Sequence, residues 1–461
     1  MTITSSVHNS ENFVFRFLRL SLISTLANMT VPLAGLIDAI FLGHIDNIKM
    51  LAGVTLATII FDYLYRILQS LRDSTSAITA HALGSSRQQE EILLAILQGG
   101  FVALVVGLVI LLLQYPLQIL GFAILNGTPD IETQGMIYFQ ARIWGAPAVL
   151  LIYVLTGWYL GQKQQRTVLI MSLVGVASNA MLDYGMIVRL GWGAFGAGIA
   201  TALSQYIALS VALVGVCLQI KWSKLQQVSS LVLRWKALKK ILALSGNITV
   251  RFLVLISAYA IFTNFSATQG NLTLSSNGLL LQWILVGAFA IHGIRLTSQT
   301  FIGSFASKGA DELVLKSLYL SMLTSIPIVF GFAVLPLFFP VKMFRLLTNH
   351  TELYPIMQET LIWLFPFLLA LASASMLEGY FIGLKRGVTL RNAALAAFIV
   401  MYLPISITAR YLENVNLLWA SLVVYMAGTA IYLARCVLAE RVFEQTVDTP
   451  PDESRSILTK V

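Results

Sequence analysis

Charge is what this chain has least of. Aspartate and glutamate number 21 and lysine and arginine 30, so only 11% of 461 positions carry a formal charge. A soluble domain of that length could not cover its core with so little polar surface, which excludes one. Cysteine is nearly absent too. Cys217 and Cys436 stand singly toward the ends of apolar runs, which excludes a disulfide framework and a cysteine metal cluster. There is no P-loop and no hydrolase or metal motif, so the chain reads as not an enzyme, not ATP-driven and without a cofactor. The opening "MTITSSVHNSENFVF" lacks the charged start of a removable signal.

What is there is hydrocarbon. Hydrophobic residues make up 57% of the chain and mean hydropathy is +0.80. Apolar runs of about 20 residues, the length a bilayer requires, recur twelve times. Their approximate limits are 17–43, 50–71, 91–120, 134–161, 167–188, 194–219, 241–264, 276–301, 314–339, 357–383, 390–409 and 415–437. The expectation is an all-α polytopic membrane protein.

The net charge of +9 points to topology and not to nucleic acid, because the basic residues sit in short loops. With both termini inside, twenty of them (among them Arg16, Arg87, Lys163 and Lys385) fall on the cytoplasmic side. Five, Lys49, Arg189, Lys342, Arg345 and Arg410, fall outside. That asymmetry predicts cytoplasmic termini.

The two halves repeat. "TGWYLGQKQQRT" (156–167) aligns with "EGYFIGLKRGVT" (378–389), and "LGS" (83–85) with "IGS" (302–304). Six spans per half is an even number, so both halves enter from one side and are related by a pseudo-two-fold axis along the membrane normal, as in transporters. The expected organisation is an N-terminal segment 1–16, a six-helix half 17–219, a basic amphipathic linker 220–240, a second half 241–437 and a disordered tail 438–461.

Charges inside spans mark function or need a partner. Asp62 and Arg66 are four apart and read as neutralising each other. Arg72 and Asp73 lie near the inner end of span two, where an arginine can snorkel to the interface. Arg142 has no acid near it in sequence and reads as structural. Asp38 and Asp183 have no basic residue within a helical turn. With Asn179, one turn before Asp183, and Thr201 of span six, they would make an oxygen-rich pocket for Na⁺ or a shared proton.

Several stretches carry a resemblance. "NMTVPLAGLIDAIFLGHI" (28–45), "LRDSTSAITAHALG", "RIWGAPAVLL", "SNAMLDYGMIVRLGWGAFGAGIATALSQY" (178–206) and "LEGYFIGLKRG" resemble spans one, two, four, five to six and ten of the MATE (multidrug and toxin extrusion) family, in its DinF-type branch. The resemblance implies a secondary antiporter of the bacterial inner membrane that exports small organic molecules in exchange for H⁺ or Na⁺ by alternating access. It acts as a monomer among lipids, with no nucleic-acid partner. It implies coupling roles for Asp38, Asn179, Asp183 and Thr201. The alternative is a flippase for a lipid-linked saccharide, from the same wider superfamily.

The chain departs from that branch in places. Ile23 replaces an early proline of span one, and Pro32 is retained. His292 and Arg295 in span eight replace an aspartate and a small residue, and Glu378 in span ten replaces an aspartate. With Arg251 these are the substrate-cavity candidates. If only Glu378 opposes Arg251, His292 and Arg295, the cavity favours anionic or zwitterionic substrates.

Overall fold

The computed structural model describes residues 3–43, 48–125, 128–220, 224, 228 and 230–448. Residues 221–223, 225–227 and 229 of the expected 220–240 linker and the end of the tail, 449–461, lie outside the described residues. The N-terminal segment is helical from Ile3, and the last helix runs from Val415 to Asp448, past the expected end of span twelve.

Eleven helical stretches are long and apolar enough to cross a bilayer among the described residues. The first span makes twelve. It is two helices, Ile3–Met29 and Val31–Gly43, that break at Thr30, just before Pro32. A proline lacks the N–H that would continue the helical ladder, so the break falls where the sequence weakens it. The break in span one therefore lies beside Pro32 and not at position 23.

Span two is Ile48–Leu68 and Ser70–Ala82. Its second piece, "SLRDSTSAITAHA", carries too many polar groups to register as an apolar run, yet nearly all of it is buried. It lies among other helices, where the Ser70 and Ser74 hydroxyls bond to Thr249 and Ser245 of span seven, while those of Thr75, Ser76 and Thr79 are buried without a partner among the described residues. Spans three to six are Gln88–Leu112, Pro129–Gly161, Gln165–Arg189 and Gly193–Gln219. The second half comprises Trp235–Thr268 (span seven), Asn271–Ala306 (eight), Asp311–Phe338 (nine), Thr351–Gly383 (ten), Gly387–Tyr411 (eleven) and Val415–Asp448 (twelve).

The repeat is visible in packing. A Cβ on Gly157 of span four would collide with the Arg72 carbonyl of span two, and one on Gly379 of span ten would lie 3.1 Å from the Arg295 carbonyl of span eight. At Gly157 only glycine permits that approach, and at Gly379 any larger residue would push Arg295 aside. After each of these helices a lysine takes a left-handed conformation, Lys163 at φ 63° and Lys385 at φ 60°. Both donate to a carbonyl three residues back, Leu160 at 2.8 Å and Ile382 at 2.9 Å.

The packing also corrects one alignment. Arg72 and Arg295 are equivalent, which pairs Gly84 with Ser307, not with Gly303, so "LGS" and "IGS" are one helical turn out of register. Gly84 in fact packs directly on Ser307, and Ala80 lies against Gly303. Each residue meets its own counterpart, as expected beside a two-fold axis.

These contacts lie at one end of the helices, termed here the proximal end. There span one packs against span eight and span two against spans seven and eight. Hydrogen bonds between the halves cluster in this proximal portion. Thr297 Oγ1 and Ser24 Oγ are 3.0 Å apart, Ser74 Oγ and Ser245 Oγ 2.7 Å, and His81 Nε2 and the Gly383 carbonyl 2.8 Å.

Candidate functional site

Four of the residues singled out in the sequence come together. The second piece of span one packs against span five and directs Asp38 inward, where it is 3% exposed. Its Oδ1 accepts from Asn179 Nδ2 at 3.2 Å, and its Oδ2 accepts from the Thr201 hydroxyl at 2.9 Å. Asp183, one turn beyond Asn179, is fully buried and is an electrostatic and hydrogen-bonding neighbour of Asp38. A bond between two carboxylates requires a shared proton. Without one, both Asp183 oxygens lack a donor, and so does Asn179 Oδ1.

That is the chemical content of the site. Three buried acceptors without a donor, beside a carboxylate, form a place that a proton or a hard cation completes. The donor set is carboxylate, amide and hydroxyl oxygen, which fits Na⁺ as well as H⁺. Thr201 suits either, because its single hydroxyl proton has a second acceptor, the Ala197 carbonyl at 2.9 Å. Turned that way, it would offer a lone pair to a cation.

Local structure places these groups. Immediately after Asp183 the helix widens into a π-turn over Tyr184–Arg189, a distortion frequent at functional sites. Span six reaches span four through Gly198, where a Cβ would lie 2.7 Å from the Tyr138 carbonyl.

Two further residues belong to the site, and the sequence reading missed them. The Tyr138 hydroxyl donates to Asp38 Oδ2 at 3.1 Å, and Arg142 Nη1 donates to that hydroxyl at 2.9 Å. Arg142 also lies over the Phe61 ring, 4.6 Å from its centroid. Arg142, read from the sequence as structural, is thus linked to Asp38 through the Tyr138 hydroxyl. The available signal was the four-residue spacing of Tyr138 and Arg142, which puts both on one helical face.

The other embedded charges correct two expectations. Asp62 and Arg66 form no ion pair among the described residues, and the largest electrostatic partner of Asp62 is Arg142. Arg72 does not snorkel. It is 4% exposed, because span two continues ten residues past it, and its Nε lies 3.2 Å from Asp73 Oδ1. Asp73 is fully buried and also binds Arg295 of the other half, Nη2 to Oδ2 at 3.0 Å.

Of the cavity candidates, Arg251 makes a two-pronged pair with Glu378, 2.7 and 2.5 Å. Glu378 is thus wholly engaged by Arg251, and Arg295 is opposed by Asp73, not by Glu378. His292 is half-buried, with Arg295, Arg251, Arg72 and Arg66 as electrostatic neighbours.

Comparison with known proteins follows the same lines. A family model described as MatE matches residues 24–185. DNA damage-inducible protein F of Escherichia coli (strain K12) is 29% identical over 411 residues, 88% of each chain. A probable multidrug resistance protein NorM of Shewanella oneidensis is 23% identical over 344 residues, 73% of this chain and 74% of that one. A solved structure of an outward-facing multidrug resistance MATE family transporter superposes with a TM-score of 0.83 at 17% identity, over 94% of this chain and 96% of that one. At that identity the likeness is one of fold.

Proposed function

We propose that the chain belongs to the MATE family of multidrug and toxin extrusion transporters and that its own residues couple a cation to export. It is an integral membrane protein and a secondary active antiporter of small organic molecules. The flippase alternative is not favoured, since relatives are named for multidrug resistance.

In this reading Asp38 and Asp183 are the exchange site and Asn179 and Thr201 complete it. The observation that carries it is the donor-less Asp183 carboxylate against Asp38. A charge at the bilayer centre costs roughly 2.5–3.5 kcal/mol on insertion scales, and two adjacent carboxylates in low dielectric repel besides. A cation or proton relieves both terms. Its arrival also changes what Asp38 can offer Tyr138, and through that hydroxyl Arg142. Arg142 is in turn the main electrostatic partner of Asp62, which is exposed near the middle of span two. An exposed carboxylate at that depth faces a water-filled space. The chain Asp38–Tyr138–Arg142–Asp62 thus links cation occupancy to the space between the halves.

The proximal contacts between spans one, two, seven and eight close one end of that space. With cytoplasmic termini, as the distribution of basic residues predicts, the closed end is the inner one and the molecule is open outward. Placement in the inner membrane and a monomeric state complete the reading. The test is purified protein in liposomes with pH and Na⁺ gradients imposed separately. Export that follows one gradient and is lost in Asp183→Asn supports the site; export indifferent to both, or intact in the variant, rejects it.

A further inference from the structure

After span four and after span ten the chain turns a corner at a left-handed lysine, Lys163 and Lys385, and both corners reach across the seam between the halves. Lys163 Nζ donates to Ser304 Oγ of span eight at 3.2 Å. In the other direction His81 Nε2 of span two lies 2.8 Å from the Gly383 carbonyl, where the second corner begins. In the register that equates Arg72 with Arg295, His81 is the counterpart of Ser304. The two contacts are therefore one contact, repeated by the pseudo-two-fold axis.

The surroundings of the two lysines differ. Lys385 is exposed and has Glu91 as a counter-charge. Lys163 is half-buried and forms no ion pair among the described residues. Its ammonium lies 4.3 Å from the ring centroid of Phe301 and 5.1 Å from that of Phe305, both on span eight. Phe13 and Phe17 of span one pack on the Phe301 ring at 5.6 and 5.5 Å. The charged groups facing Lys163 are Arg16 of span one and Lys308 beyond span eight, both positive. A hydroxyl and two ring faces hold an ammonium but do not neutralise it. A half-buried cation with no acid beside it and positive neighbours on both sides of the seam resists closure of that seam.

We propose that the two corners are the catches of the inner gate, and that Lys163 makes the first catch respond to pH on the inner side: protonated, it loosens the gate, and neutral, it holds the gate shut. The proposal rests on the reading of the proximal end as the closed inner one. Burial, with Arg16 and Lys308 nearby, pushes the Lys163 ammonium from an ordinary value of 10.5 down to about 8. In the open gate the ammonium returns to water. The closed gate thus binds this proton more weakly than the open one, so rising pH favours closure. Between pH 7 and pH 9 the closed-to-open ratio should rise about tenfold.

The experiment uses the full chain with spin labels at Ser86→Cys and Glu312→Cys, exposed positions on the inner ends of the two halves, after Cys217→Ser and Cys436→Ser. The distance distribution between the labels is measured from pH 6 to pH 9.5, without any gradient. Wild type should shift toward the short distance as pH rises. Lys163→Met keeps the reach of the side chain without its charge, and should favour the short distance at every pH. Lys163→Arg stays charged throughout and should favour the long one at every pH. Lys163→Ala, which touches neither Ser304 nor the rings, should lengthen the distance at high pH. Each variant is repeated with Asp183→Asn, so that the exchange site does not titrate through Asp183. A distance independent of pH in wild type would overturn the proposal. So would a pH dependence that survives Lys163→Met but is lost in Asp183→Asn; either result leaves the antiporter reading standing. A proximal distance that stays short in every variant, even during transport, would overturn the reading of that end as a gate.

Discussion

Replacing Thr201 with valine removes one hydroxyl from the proposed cation site while keeping the side chain's shape. In the cation-free arrangement that hydroxyl donates to Asp38 Oδ2 at 2.9 Å, and a hydrogen bond to a charged group contributes about 1.5–3 kcal/mol. The same proton could instead go to the Ala197 carbonyl, also at 2.9 Å, so the net effect belongs at the low end, about 1.5 kcal/mol or roughly tenfold in an equilibrium constant. Its sign depends on the ion. The hydroxyl favours the bare carboxylate, so for a proton its loss favours the occupied state. Half-maximal transport should then move to higher pH by about one unit. For Na⁺ the same oxygen is a ligand, so its loss should raise the half-saturating Na⁺ concentration, the opposite direction. The assay is the cation dependence of transport by purified protein in liposomes, wild type against Thr201→Val. A half-saturation that moves for neither ion would mean that Thr201 does not touch the cation, and the site as drawn would be wrong.

Other perturbations test other parts of the account. Cysteines at Gly84 and Ser307, which touch across the two halves, should cross-link on oxidation and stop transport until reduced; transport by the oxidised protein would argue against a seal that opens there. Gly157→Val should sharply lower the yield of folded protein, because its side chain would enter the Arg72 carbonyl; a normal melting temperature in detergent would contradict that packing. Breaking the buried Arg251–Glu378 pair with Glu378→Gln should cost about 3–5 kcal/mol. The double variant Arg251→Met with Glu378→Met should recover most of it. A single variant as stable as wild type would show that the pair is not buried as described.

The architecture was legible because a bilayer imposes it. Runs of about 20 apolar residues marked each crossing, and the matching "GxxxGxK" segments revealed the repeat. The ends of spans were less legible. Span two was cut short at residue 71 because the Ser/Thr-rich piece that follows is polar in composition and buried by its neighbours, a fact no hydropathy window contains. Asp38, Asn179, Asp183 and Thr201 could be grouped because a carboxylate without a partner on its own helix must seek one elsewhere. Partners across helices were the hidden part. Asp73 bridges Arg72 and Arg295 from opposite halves, and Tyr138 joins Arg142 to Asp38. Such pairings join residues up to 222 positions apart, and local spacing does not encode them.

The central claim is that the Asp38–Asp183 pair exchanges the cation that drives export. Proteoliposomes of wild type and Asp183→Asn, matched for incorporated protein and given one imposed cation gradient, test it most directly. Wild type should build a substrate gradient that collapses when the cation gradient is dissipated, while Asp183→Asn, correctly inserted, should build none. A variant that accumulates substrate at the wild-type rate would contradict the account.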